Sequence, residues 1–236
     1  NKNEIIVAVD GFIEESQEVL DKYKKDIKIL DLGENQGMQM ALNLAVMNAT
    51  NEKIFIVNDD NVFCKDFDLE IEQEFGEEIV LTVNQIEPTG PGIFNFPVKD
   101  LGRNPKEFKY KEFIKYEKSI RENTLSPEGG IFPFAMYKKY YMAVGGFDMM
   151  YQSPFICDWD FFLKLELIGL EFVRTKNAHL YHFGSTATKN GNEGEKFKAT
   201  EEPAAQLFNY KWGMPPQIFE NNSHAPRGSM IKGIKF

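Results

Sequence analysis

The sequence predicts an α/β fold, a mostly parallel central sheet flanked by helices. Three observations carry that expectation. Residues 4–57 read strand, helix, strand, helix, strand, which is βαβ wiring. The helix over 37–49 (GMQMALNLAVMNA) is apolar almost all round, as a helix covered on several sides must be. A further helix around 66–75 and a strand at 78–84 (EIVLTVN) continue the alternation.

Taken in order, EIIVAV at 4–9 is apolar and β-rich, and Asp10-Gly11 follows as a turn signal. Residues 13–25 set Ile13, Val19, Leu20 and Tyr23 among charges, giving a surface helix with one apolar stripe. IKILDL at 27–32 is a second strand, and Gly33 to Gly37 a turn. KIFIV at 53–57 is a third strand, ending in Asn58-Asp59-Asp60-Asn61. Residues 85–105 collect Pro88, Gly90, Pro91, Gly92, Pro97, Gly102 and Pro105, a long loop of the kind that often carries function. A helix is expected over 106–122, a strand over 130–137, helices near 138–144 and 158–168, and two short strands over 171–182. Residues 184–195 are Gly, Ser, Thr, Asn and Lys, a flexible loop, and a final helix covers about 196–211.

Composition limits the function. The 236 residues suit one large domain, with 42% hydrophobic and 27% charged residues. With 27 basic against 36 acidic residues the net charge is −9, a poor basis for general nucleic-acid binding. An anionic small substrate needs a cation or a local basic patch. Between Arg103 and Arg121 seven basic residues face Glu107, Glu112 and Glu117, which reads as a solvated basic face. No apolar run is long enough to span a membrane, and no leader is expected. Two cysteines, Cys64 and Cys157, are too few for a disulfide framework and fit a reducing compartment.

The first candidate constellation is Asn58-Asp59-Asp60-Asn61, at the carboxyl end of an apolar strand, where ligands of open α/β sheets bind. Paired carboxylates there offer hard oxygen ligands to Mg²⁺ or Mn²⁺, although Asp and Asn also simply make turns. The second is Asp158-Trp159-Asp160, opening a helix, where acids are also ordinary N-terminal residues. Gly145-Gly146-Phe147-Asp148 before it makes a tight turn that sets Phe147 under the site. His182 follows an apolar run between Tyr181 and Phe183; beside two carboxylate motifs it is a candidate ligand. No dinucleotide fingerprint, phosphate-binding Gly-Lys loop or zinc spacing occurs.

In this order, IIVAVDG (5–11), NQGMQMALNLAV (35–46), FIVNDDN (55–61) and VGGFDMMYQSPFICDWDFFLKL (144–165) resemble the motifs of a family 2-type glycosyltransferase of the GT-A fold. The resemblance covers roughly residues 4–183 and implies a Rossmann-like GT-A domain over 1–236. Its nucleotide-binding half would be 1–84, its acceptor-binding half 85–212, and 213–236 a tail. It implies inverting transfer of a sugar from a nucleotide diphosphate sugar, UDP or GDP, to a hydroxyl on a saccharide or glycan. Asp60, with His182, would hold Mn²⁺ or Mg²⁺. Asp10, Asn43 and Asp59 would lie on the donor side, Trp159 would face the acceptor sugar, and Asp158 would be the base, with Asp160 as the fallback. The 184–195 loop would close over the diphosphate. The expected location is the cytoplasm or the periphery of a membrane.

Three departures accompany the resemblance. The family's Glu-Asp pair is here Cys157-Asp158, and its first DXD acid is Asn58. The chain opens at what resembles the family's second strand, so either residues precede it or another segment, such as Met230–Phe236, fills the place. A rival reading is a nucleotidyltransferase of similar fold, which needs a Gly-rich basic loop after the first strand. Another is a sugar-nucleotide or glycan binding module without catalysis, for which Cys157 is the support.

Overall fold

The computed structural model describes residues 3–89, 96–127, 130–154, 156–184 and 191–216. Residues 185–190 of the expected closing loop, and Met230–Phe236, lie outside the described residues. The elements run β1 (Ile6–Val9), α1 (Ile13–Tyr23), β2 (Lys28–Asp31), α2 (Met38–Asn48), β3 (Lys53–Ile56), β4 (Asn61–Phe63), α3 (Phe67–Glu74) and β5 (Ile79–Ile86). They continue with α4 (Tyr110–Ile120), β6 (Leu125–Pro127), β7 (Phe134–Tyr137), α5 (Lys138–Ala143), α6 (Cys157–Leu167), β8 (Glu171–His182) and α7 (Gly191–Trp212).

The α/β expectation holds, but the strands pair as a mixed sheet. β1 and β2 form a parallel pair of their own, the product of the first βαβ unit. Among the described residues the larger sheet has six strands in the order β3-β7-β5-β8-β4, with β6 also paired to β8. Within it only β5 and β8 are parallel. β7 enters between β3 and β5, antiparallel to both, after the chain has passed through α4 and β6. Among the described residues β1 pairs only with β2, and β3 only with β7. Glu4 nevertheless ties the start of β1 to the approach to β3, its Oε2 accepting from Thr50 N at 2.8 Å.

Alternation along the strands splits the core in two. Val80, Phe134 and Met136 face one side, packed with Phe147, Phe161, Phe162 and Phe208 from the α5–α7 region. Leu81, Ala135 and Leu180 face the other, under Phe67 and Ile71 of α3 and Phe113 of α4. The surplus of phenylalanine is spent largely here: Phe147 stacks on Phe161 with centroids 4.5 Å apart. Residues 171–182, expected as two short strands, form one strand whose pairing with β5 shifts between Thr175 and His179. The extra residues around Asn177 turn out to meet α3, where Asn177 Nδ2 donates to Glu70 Oε2 at 2.8 Å.

Candidate active site

β3 and β5 both run antiparallel to β7, and β8 runs parallel to β5, so all three point the same way. Their carboxyl ends share one edge of the sheet, the edge where open α/β sheets bind ligands. Asp60 follows β3, Glu87 follows β5 and His182 ends β8. The turn at Asp59-Asp60 reverses the chain into β4, whose Asn61 registers opposite His182. Phe183 N donates to Asp60 O at 3.0 Å, which fixes the backbone of that turn against the end of β8.

The side chains meet as the backbones dictate. His182 Nε2 lies 3.1 Å from Asp60 Oδ2, and His182 Nδ1 lies 3.2 Å from Glu87 Oε1. The imidazole is thus held between two carboxylates, one at each ring nitrogen. Burial pulls its pKa down, but the hydrogen bonds and charges of Asp60 and Glu87 outweigh it and bring it up to about 9. Asp59, next along the turn, is exposed.

A second group forms around the start of α2. Asp10, just after β1, accepts from Gln36 N at 2.6 Å and from Gly37 N at 3.0 Å. Both amides lie just before Met38, the first residue of α2, so the carboxylate holds the turn that enters the helix. Gly11 permits the crossing: its φ is +84°, and a Cβ would sit 2.8 Å from Asn35 N. At the second residue of α2, Gln39 Nε2 donates to Ser153 O at 2.7 Å, tying the segment before α6 to α2.

Asn43, expected on the donor side, is committed elsewhere. Its Nδ2 donates to Phe147 O at 2.9 Å, while its Oδ1 accepts from Phe147 N at 2.9 Å and from Tyr141 Oη at 2.7 Å. The amide copies a strand's pairing and clamps the Gly146-Phe147 turn to α2. Phe147 is buried and stacks on Phe161 of α6.

At the start of α6, Ile156 has φ 72° and ψ −29°, a strained conformation for a β-branched residue. Such strain is characteristic of functional segments. Cys157, standing where the resemblance has an acid, is wholly buried, with Sγ 3.5 Å from Pro154 O, and burial raises its thiol pKa well above the usual value. Asp158 is partly exposed and accepts from Trp159 N at 2.9 Å. Burial raises its pKa from 3.8 to about 6, against the lowering effect of backbone hydrogen bonds. Trp159 is half-buried beside it.

Asp160 has a different setting. It has no exposed surface. Its Oδ1 lies 2.7 Å from Lys211 Nζ and accepts from Trp212 Nε1 at 2.9 Å, and its Oδ2 lies 3.4 Å from Lys164 Nζ. Tyr151 Oη donates to the same Oδ1 at 3.4 Å, so four groups enclose the carboxylate, two of them from the end of α7.

Of the residues singled out from sequence, the structure brings Asp60 and His182 into contact, and it sets Asp158 beside Trp159. It buries Asp160 under α7 and gives Asn43 to the Phe147 turn. Glu87 and Gln39 went unremarked. Glu87 carried one available signal: it is an acid ending an apolar strand, directly before the Pro/Gly-rich loop.

The pair Asp60 and His182 fits a divalent ion of intermediate hardness, a carboxylate oxygen and an imidazole nitrogen within one ion's reach. Among the described residues no three His, Cys, Asp or Glu side chains form a ligand set for a metal ion. Likewise among the described residues, no helix is long and apolar enough to cross a membrane.

Residues 1–144 match the family model described as glycosyl transferase family 2. Among curated proteins the comparison finds no match. Among solved structures, the chain is similar to GalNAc-T7 with UDP, GalNAc and Mn²⁺, at TM-score 0.54 and 15% identity over 76% of this chain and 37% of that one. It is similar to S. aureus TarS 1–349, at TM-score 0.54 and 14% identity over 92% of this chain and 64% of that one. It is also similar to the mannosyltransferase PcManGT from Pyrobaculum calidifontis in complex with GDP-Man and Mn²⁺, at TM-score 0.53 and 14% identity over 92% of this chain and 58% of that one. The chain thus spans less than two thirds of each of these structures. At such identities the likeness is one of fold, and the fold is GT-A.

Proposed function

Because the chain belongs to glycosyl transferase family 2, we propose that it transfers a sugar from a nucleotide diphosphate sugar to an acceptor hydroxyl with inversion at the anomeric carbon. The observation that carries this reading is the contact of Asp60 with His182, at 3.1 Å, on the carboxyl edge of the sheet. These two would hold Mn²⁺ or Mg²⁺, which when bound neutralises charge on the departing diphosphate. An acidic protein with a net charge of −9 needs such a cation to retain a diphosphate. The similar GalNAc-T7 and PcManGT structures hold Mn²⁺ together with UDP and GDP-Man, which supports a donor of the same class.

In this reading Asp158 is the general base. It is partly exposed, and with a pKa of about 6 it is ionised at neutral pH yet basic enough to take the proton of an attacking hydroxyl. Trp159 would offer a flat face to a saccharide acceptor, and the exposed Asp59 would reach the donor ribose. Asp10 would act from the nucleotide-base side, where its carboxylate orders the turn just before α2. Asn43 and Asp160 are assigned to structure: the first holds the Phe147 turn, the second holds α7. Residues 1–84 would then make the donor half and 85–212 the acceptor half, working in the cytoplasm or at a membrane periphery.

The test is donor hydrolysis and transfer across UDP, GDP and dTDP sugars with Mn²⁺, on the full chain, with and without EDTA. Metal-dependent release of one nucleoside diphosphate supports the proposal. Tight donor binding with no turnover on any acceptor would favour a binding module instead.

A further inference from the structure

We infer that Glu87 is a positioning residue for the metal site: it orients His182 so that Nε2, and not Nδ1, faces the ion held with Asp60. The inference rests on the metal reading proposed above and deepens it. The two ring nitrogens of an imidazole point in different directions. In this chain each faces its own carboxylate, Asp60 at Nε2 and Glu87 at Nδ1. Were Asp60 and Nε2 to hold an ion, Glu87, at the other ring nitrogen, would be left to accept from Nδ1–H. That arrangement sets the tautomer, turns the ring and raises its basicity as a ligand, as a partner of a metal-bound histidine commonly does.

The backbone around Glu87 suits the task. Its N–H donates to Pro97 O at 3.0 Å, and its carbonyl accepts from Lys99 N at 2.9 Å. Glu87 also bridges to Val98 as a single parallel pair. The residue is thereby pinned at the base of the long loop, just past the last paired residue of β5, Ile86, which is opposite Tyr181. His182 is the next residue of β8, so strand register delivers the two side chains to each other. A loop residue without these anchors would have to lose its own freedom to orient the ring.

The experiment measures Mn²⁺ binding directly, by the EPR signal of free Mn²⁺, on the full chain and on Asp60→Ala, Glu87→Gln and Glu87→Leu. Melting temperatures are recorded for each, and Glu87→Ala carries the comparison if Glu87→Leu does not fold. Gln keeps an acceptor for Nδ1–H, and Leu does not. Asp60→Ala should lose measurable binding, Glu87→Leu should weaken it roughly 10- to 100-fold, and Glu87→Gln should recover most of that loss. Wild-type affinity in Glu87→Leu, with Asp60→Ala still defective, overturns the role of Glu87 and leaves the metal reading standing. Equal weakening in Gln and Leu overturns the hydrogen-bond account. Loss in Glu87→Gln as complete as in Asp60→Ala makes Glu87 a ligand and also overturns it. Failure of the wild type to bind Mn²⁺ removes the metal reading, and the inference with it.

Discussion

Asp160 and Lys211 lie 2.7 Å apart, the carboxylate wholly buried in α6 and the ammonium reaching in from the end of α7. Lys211 Nζ also lies 2.8 Å from Asp148 Oδ2, just after the Phe147 turn. One lysine thus fastens α7 to both the helix and the turn. Removing a partner from a buried ion pair leaves charge without compensation. Asp160→Ala should cost about 3 kcal/mol or more of stability, read from urea unfolding. An Asp160→Ala protein as stable as wild type would show that the pair carries no structural weight.

Asp158, two residues earlier, should behave in the opposite way. Asp158→Asn keeps shape but cannot accept a proton, and is expected to lower turnover roughly 10²-fold or more with donor affinity nearly unchanged. Unchanged turnover would remove Asp158 as the base. Wild-type turnover should fall as pH drops through about 6, as the base becomes protonated.

The same shift has a consequence for stability. The pKa of Asp158 is raised on folding, from 3.8 to about 6, so the folded state favours the protonated form. Stability from this group is full below 3.8 and is lost as pH rises through about 6. Asp158→Asn escapes that loss. It should melt above wild type at about pH 7.5, with the gap closing as pH falls toward about 4. A constant gap across that range would contradict the raised pKa of Asp158.

Asp60 and Asp59 should separate cleanly. Asp60 touches His182, whereas Asp59 is exposed on the turn. Donor binding is expected to weaken strongly in EDTA and recover with Mn²⁺ or Mg²⁺, and Asp60→Ala should reproduce the chelator effect where Asp59→Ala does so only in part. Isothermal titration with the donor found in the screen measures both. Undiminished donor binding in chelator would sink the assignment.

Gly146 has φ +68°, and a Cβ there would run into Asn43 Oδ1 and approach Tyr141 Cε1 to 2.8 Å. Gly146→Ala therefore combines left-handed strain with the loss of the Asn43 clamp. A cost of about 1–3 kcal/mol is expected, measured by denaturant unfolding. Gly145 has a similar φ, +77°, but no neighbour within 4 Å of its Cβ position, so Gly145→Ala should cost less.

Much of this was legible along the chain. The first five elements fall where apolar runs and periodicity put them, because amphipathic patterning and turn residues act over a few positions. The Asp59-Asp60 turn at a strand end, and Asp158 with Asp160 at a helix start, are visible as motifs for the same reason. Pairing was not legible. That β7 enters antiparallel between β3 and β5 depends on contacts between segments far apart in the chain, and no local pattern encodes it. The two acids of α6 divide likewise. Asp158 and Asp160 are alike in sequence, both acids in the first turn of α6. Lys211 and Trp212, brought in by α7, bury one of them and leave the other partly open. Asp60, Glu87 and His182 are separate signals in the chain, and become one cluster because three strands end on one edge in register. Short-range chemistry chooses the helices, strands and candidate carboxylates; which carboxylate meets water, and which meets a lysine or an imidazole, follows from partners that distant packing supplies.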